Sequence, residues 1–424
     1  MMAVPLIVAC STSATDHLSN DPVPGADTMG AELPGDTTGT SPTPANPERQ
    51  PELWKRPATA LLDVDTTTPA DPSAPADPAA PSDPAAPAEP APANPAPSTP
   101  STPAPSIPAV PAGNVPLRGA CLSGAEFGSA LPGTFGTDYT FPTASEVDYY
   151  MGKGMNVFRV GFRWERLQRA AYGELDATYL SRLDTLVTYA TSKGAHVILN
   201  PQNFARYYGN VVGTSQVPSA AFADFWKRVA TKYASNPLVM FNLVNEPHDM
   251  PTEQWVGAAN AAIAAIRAAG ANNVIVAPGN GWTGAGSWTS SGYGTPNSVA
   301  MLNIDDPANN TLYEVHLYLD SDASGTSSSC VSTTIGRERL AGFVKWLRDH
   351  GKKGFLGEFA VADNATCNTA AKGTLDMVFE SSDVMVGFTW WGAGPWWGDY
   401  MFSTEPKNGQ DSSRMTLLGP YLAK

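Results

Sequence analysis

Two glutamates close two short apolar runs in this chain. Residues 239–247 read Val-Met-Phe-Asn-Leu-Val-Asn-Glu-Pro, and residues 354–360 read Gly-Phe-Leu-Gly-Glu-Phe-Ala. Short, continuous apolar runs bounded by turn formers are what buried parallel strands look like. Each run places one carboxylate, Glu246 or Glu358, where a strand gives way to a loop. Two carboxylates on separate strand ends suit the cleavage of a glycosidic bond: one protonates the leaving oxygen and the other works from the opposite side of the sugar. A lone loop glutamate is usually just solvated. The paired placement argues for the chemical reading.

Other polar residues sit in similar positions. The run 311–318 ends Glu314-Val315-His316-Leu317-Tyr318, and strand alternation puts Glu314, His316 and Tyr318 on one face. Inward polar groups are costly unless paired or functional, and a hydrogen-bonded core histidine is the plain alternative for His316. Glu314 lies one strand repeat deeper and reads as structural. Arg159, on the run 156–162, has the fork geometry to hold a carboxylate such as Glu358; a surface ion pair is its alternative. Residues 388–400 contain four tryptophans interrupted by glycines, Trp390, Trp391, Trp396 and Trp397. Such a stretch is poor core filling and a good set of flat platforms for sugar faces. Trp282 and Trp288 are similar candidates in a glycine-rich loop.

These groups need a frame. Candidate strands fall at 117–122, 156–162, 195–201, 239–245, 273–278, 311–318, 354–359 and 384–391. Helical periodicity occupies 175–193, 219–233, 253–269 and 337–349. The connection 279–310 reads mostly as loop. Eight alternating units predict an α/β fold, a (β/α)8 TIM barrel, whose catalytic groups gather at the C-terminal strand ends. Glu246, His316, Glu358 and Trp391 all fall there.

Composition divides the chain. All 11 tryptophans except Trp54 lie beyond residue 160. Residues 66–113 are Pro, Ala, Ser and Asp with little else, a composition that predicts a disordered, PPII-biased linker. Residues 11–65 read as a disordered low-complexity region without the aromatics of a separate binding domain. The folded, catalytic part is expected over 114–424. A net charge of -14 and a pI near 4.7 argue against nucleic-acid or anionic-membrane partners. No His/Cys set has metal-ligand spacing, so neither metal nor cofactor is expected. A monomer is expected.

Cys10 follows Leu-Ile-Val-Ala in a segment, residues 1–10, that resembles a bacterial lipobox. The apolar run is short and lacks a basic start, so the expectation is a truncated signal segment, with export and a possible lipid tether at Cys10. Cys330 and Cys367 lie in polar, loop-like sequence and form a disulfide if the protein is exported, or remain free thiols if it is not. Cys121 reads as a small buried hydrophobe.

The segments Gly-Met-Asn-Val-Phe-Arg-Val (154–160), Asn-Glu-Pro (245–247), His-Leu-Tyr-Leu-Asp-Ser-Asp-Ala-Ser-Gly-Thr (316–326), Gly-Glu-Phe (357–359) and Trp-Gly-Ala-Gly-Pro-Trp-Trp-Gly (391–398) together carry a resemblance. The folded part resembles a glycoside hydrolase family 5 endoglucanase, of the branch shared by fungal and plant-pathogen bacterial enzymes. The resemblance implies a retaining endo-β-1,4-glucanase. Glu246 would be the acid/base and Glu358 the nucleophile. Asn245 would bind the sugar 2-hydroxyl, His316 and Tyr318 would support the carboxylates, Arg159 would position Glu358, and Trp391 would floor the subsite. One departure stands out. The family's Asp-Pro-His-Asn is here Asn200-Pro201-Gln202-Asn203. Gln202 hydrogen-bonds but carries no charge, so a changed pH profile or rate is expected. The rival readings are a mannanase, lichenase or xyloglucanase of the same family, and a carbohydrate-binding surface lipoprotein that has lost catalysis.

Overall fold

The computed structural model describes residues 116–292 and 294–423. The expected segments 1–10, 11–65 and 66–113, with Cys10, lie outside the described residues.

Eight strands close a barrel. They are β1 (Leu117–Ala125), β2 (Val157–Phe162), β3 (His196–Pro201), β6 (Val239–Asn242), β7 (Ile275–Pro278), β8 (Thr311–Leu317), β9 (Gly354–Phe359) and β10 (Met385–Ala393). A two-stranded hairpin, β4 (Arg206–Tyr207) and β5 (Asn210–Val211), lies outside the barrel. The barrel order is β1-β10-β9-β8-β7-β6-β3-β2, and all neighbours run parallel. The helices are α1 (Ala144–Gly152), α2 (Trp164–Leu167), α3 (Ala177–Ser192), α4 (Ser219–Tyr233), α5 (Thr252–Ala268), α6 (Asn297–Ala300), α7 (Ile335–Asp349), α8 (Ala365–Glu380) and α9 (Ser413–Leu422). Side-chain caps start several of them: Thr143 with Glu146 on α1, Asp176 on α3 and Asn364 on α8.

The expected strands match the observed ones closely, with one instructive difference. Strand β6 stops at Asn242, three residues short of the expected end. The chain still tracks its neighbours: Leu243 N–H donates to Val276 at 3.0 Å and Asn245 N–H to Pro201 at 2.8 Å. Residues 279–310, expected to be loop, contain two short 3-10 turns and α6.

Alternation along the strands builds two layers inside the barrel. The lower layer is apolar: Leu117, Val157, Ile198, Met240, Val274, Val276, Leu312, Phe355 and Val386 cluster there. Two residues further along β2, β3, β6 and β8, the inward positions hold Arg159, Asn200, Asn242 and Glu314, all essentially fully buried. A larger apolar cluster packs the outer faces of the strands against the helices. The barrel therefore carries a charged layer on an apolar floor.

Candidate active site

Each member of the charged layer is placed by its strand. On β8, Glu314 and His316 share the inward face. On β9, alternation alone would point Gly357 inward and Glu358 outward. A register shift between Val315 and His316 sets Glu358 opposite His316 instead. Such irregularities re-aim side chains next to active sites. Glu246 sits just past β6 with φ at +44°. This left-handed conformation is strained for a residue with a side chain and persists only when neighbours impose it. The neighbours do so: Asn245 N–H is held by Pro201, and the Pro247 carbonyl accepts from Trp282 N–H at 2.9 Å.

Arg159 is the hub. Its Nη1 lies 3.2 Å from Glu358 Oε2 and its Nη2 donates to Asn245 Oδ1 at 2.8 Å. Its Nε lies 3.0 Å from Glu314 Oε1 and 3.2 Å from Asn242 Oδ1. The His316 ring stands between carboxyls, with Nδ1 2.8 Å from Glu246 Oε1 and 3.8 Å from Glu358 Oε2, and Nε2 3.4 Å from Glu314 Oε1. Tyr318 donates its hydroxyl to Glu358 Oε1 at 2.6 Å. One donor atom each of Glu246, His316 and Glu358 lies within 4.8 Å of the others.

Burial and charge set the protonation states. Burial alone would push His316 down, but the Glu358 charge and the hydrogen bonds to Glu246 and Glu314 outweigh it and raise its pKa to about 9. Burial would raise Glu314, yet Arg159, His316 and Asn242 hold it below the usual carboxylate range. Glu358 is raised by burial and further by Glu246, against His316, Arg159 and the Tyr318 hydroxyl. The Glu246 and Glu358 carboxylates lie close enough that two negative charges there repel each other. At neutral pH the cations Arg159 and His316 face the anion Glu314 and that pair. A single proton on the pair leaves the buried cluster neutral, the state with no uncompensated charge to desolvate.

The remaining predicted residues divide. Gln202 is buried and accepts a hydrogen bond from Asn200 Nδ2. Its Nε2, like Asn245 Nδ2, has no protein partner. Asn203 is engaged elsewhere: its Nδ2 donates to Glu165 at 2.5 Å and its Oδ1 accepts from Trp164 N–H at 2.8 Å, so it braces the loop after β3. Trp391 is buried at the end of β10, its Nε1 donating to the Tyr400 hydroxyl at 3.3 Å and its ring edge-on to Trp397. Trp282 is half-buried and stacks on His248 at 4.5 Å and 7°. Phe204 meets His248 edge-on, which extends this aromatic wall. Trp288 is a correction: it is fully buried against Phe343 and Trp346 and belongs to the core. Trp396 is 39% exposed and is the most open of the four C-terminal tryptophans. The structure joins Cys330 to Cys367 in a disulfide, and Cys121 is a buried free thiol.

Sequence reasoning passed over Asn242, Tyr400 and His248. Asn242 was findable, since it lies two residues beyond inward Met240. Tyr400 and His248 lie in loops, where no periodicity aims a side chain. The Glu246, His316 and Glu358 atoms are near enough to share a cation. Arg159 and the imidazolium already supply the positive charge that the carboxylates require, so we assign no metal to the cluster.

The sequence profile described as "Cellulase (glycosyl hydrolase family 5)" matches residues 119–394. This chain belongs to glycosyl hydrolase family 5. Family relatives include the endo-beta-1,4-glucanase B of Aspergillus niger, 45% identical over 302 residues that make up 71% of this chain and 88% of that protein. Endoglucanase 3 of Humicola insolens is 46% identical over 67% of this chain and 72% of its own length. Among solved structures, the endo-beta-1,4-glucanase Xac0029 of Xanthomonas axonopodis pv. citri is 45% identical with a TM-score of 0.71, covering 72% of this chain and 98% of that one. XacCel5A in complex with cellopentaose is 44% identical with a TM-score of 0.71, covering 72% and 99%.

Proposed function

We propose that this family 5 glycoside hydrolase is an endo-β-1,4-glucanase, which cuts internal bonds of cellulose and soluble β-glucans by retaining double displacement. The observation that carries the mechanism is the spacing of Glu246 and Glu358, whose nearest donor atoms are within 4.8 Å. Retaining enzymes hold their carboxyls about 5–5.5 Å apart, whereas inverting enzymes need roughly 6.5–9.5 Å to admit a water. The relatives named as β-1,4-glucanases and the cellopentaose complex support the substrate class.

In this reading the shared proton rides on Glu246, because Glu358 has Arg159 on one oxygen and the Tyr318 hydroxyl on the other. Glu358 attacks the anomeric carbon while Glu246 gives its proton to the departing glycosidic oxygen. Glu246 then takes a proton from water, and that water releases the sugar from Glu358. The free Asn245 Nδ2 is the donor for the 2-hydroxyl, a contact that tightens in the transition state. Trp391 floors the cleaved subsite. Trp282 is tied through Pro247 to the acid/base turn and continues the surface on the leaving-group side.

Gln202 and Asn200 form a neutral amide pair in place of the family's ionisable Asp and His. The substitution Gln202→His is expected to alter the rate or the pH profile; unchanged values for both would remove Gln202 from the working set. Residues 114–424 form the catalytic domain in this proposal, carried on the Pro/Ala spacer of an exported protein. The Cys330–Cys367 disulfide supports export, because cytosolic thiols stay reduced. Tethering through Cys10 is tested by whether the Cys10→Ser protein leaves the membrane fraction.

The deciding experiment measures viscosity and reducing ends on carboxymethylcellulose, with glucomannan and barley β-glucan alongside. A fast viscosity drop with few new ends establishes internal cleavage of β-1,4-glucan. Turnover on mannan or mixed-linkage glucan alone moves the substrate class. No turnover from folded protein favours the binding-protein reading.

A further inference from the structure

We propose that Glu314 is a positioning residue of the reaction: its buried carboxylate holds the Arg159 guanidinium and the His316 ring from below, so that each aims its remaining donors at Glu358 and Glu246. The proposal rests on the mechanistic reading above and deepens it, since the depth of Glu314 in the barrel otherwise suggests a filler.

Glu314 is fully buried and never reaches the cleft. Its Oε1 lies 3.0 Å from Arg159 Nε and 3.4 Å from His316 Nε2, and its Oε2 accepts from Asn242 Nδ2 at 2.5 Å. The ion pair with Arg159 and the hydrogen bond with His316 therefore engage the sides of those two side chains that face away from the reacting carboxylates, while the Arg159 Nε–H itself donates to Asn242. Arg159 is left with Nη1 for Glu358 and Nη2 for Asn245. His316 is left with Nδ1 for Glu246. A ring with a carboxyl at each nitrogen donates to both only as imidazolium, because neutral imidazole has one N–H. The charged groups around His316 are Glu314 on its own strand, Glu246 beyond β6, Glu358 on β9 and Arg159 on β2 at 3.3 Å.

The neighbouring strand makes room for this arrangement. A Cβ placed on Gly357 would lie 1.9 Å from Glu314 Oε1. The glycine immediately before Glu358 is thus explained by the Glu314 carboxylate rather than by a turn. Any side chain at 357 would displace Glu314, and with it the two donors that orient the reacting pair.

The test compares wild type with Glu314→Gln, which keeps the shape and removes the charge. NMR of the His316 imidazole, read without substrate, follows its titration; a failed substrate assignment leaves this readout untouched. In wild type the ring is expected to stay protonated to about pH 9. In the variant its acid constant is expected to rise tenfold or more. The variant's kcat is expected to fall on the order of 10²-fold with little change in KM, the scale of a small misplacement of reacting groups. Its alkaline limb should move to lower pH. A folded Glu314→Gln protein with unchanged His316 titration and an unshifted pH profile overturns the proposal. If the variant does not fold, the wild-type titration decides: a ring that deprotonates near the ordinary value of about 6.5 overturns it as well.

Discussion

Glu358→Ala is expected to lower kcat on soluble β-glucan by on the order of 10⁴-fold or more, the scale seen when a covalent nucleophile is deleted. The fold should survive, because Arg159 keeps Glu314 as a counter-charge at 3.0 Å. Azide separates the two carboxylates more sharply than the rate does. In Glu358→Ala, azide enters the space the carboxylate has left and attacks the anomeric carbon of an activated aryl cellobioside. The expected product is the α-cellobiosyl azide. In Glu246→Ala the covalent intermediate still forms from a substrate with a good leaving group. Azide then replaces water and gives the β-cellobiosyl azide. The reverse pattern of products would exchange the two roles while leaving the retaining chemistry in place.

Arg159→Met is expected to cost more in stability than any other single change at the site. It leaves the Glu314 carboxylate fully buried and Glu358 nearly so, without the guanidinium that joins them. Breaking a buried ion pair from one side costs about 3–5 kcal/mol. Urea unfolding at neutral pH, followed by tryptophan fluorescence, measures the loss. The sign of its pH dependence follows from Glu314. Its folded pKa is depressed, so its favourable contribution exists above the unfolded value and fades as pH falls through the folded one. In Arg159→Met the depression is lost and both carboxylates take up protons readily. The stability gap to wild type should therefore be widest near neutrality and narrow in acid. Arg159→Lys should recover little, since one ammonium cannot bridge Glu314, Glu358 and Asn245 together. A gap independent of pH would show that Arg159 acts by packing alone.

Much of this site was legible because it lies on strands. His316 and Tyr318 follow from period-two alternation, Arg159 from its place on a strand and its fork geometry, and the strand ends fix Glu246 and Glu358 at one mouth of the barrel. Alternation does not account for every member of the site. Glu358 faces inward only through the register shift beside His316, which no local pattern announces. Trp282 and Trp288 looked alike as aromatic residues in one glycine-rich loop. One stacks on His248 near the site, while the other is buried against Phe343 and Trp346 of α7. Loop side chains are aimed by tertiary neighbours, so residue type alone could not separate them. Glu314 was placed correctly in depth but undervalued, because its work is visible only once Arg159, His316 and Gly357 are seen around it.

The barrel seam has a consequence for when activity can begin. Strand β1 pairs with β10, the first barrel strand with the last, along Leu117–Gly387 through Leu122–Ala393. The groups that meet at the centre come from β2, β6, β8 and β9, and Trp391 comes from β10. Loop closure over such sequence separations precedes most of the contacts that reward it. A growing chain that has not yet released β10 holds both glutamates but no closed ring to press them together. Hydrolysis is thus a late reporter of folding: it should appear with ring closure, after the helices have formed and much of the tryptophan signal has changed.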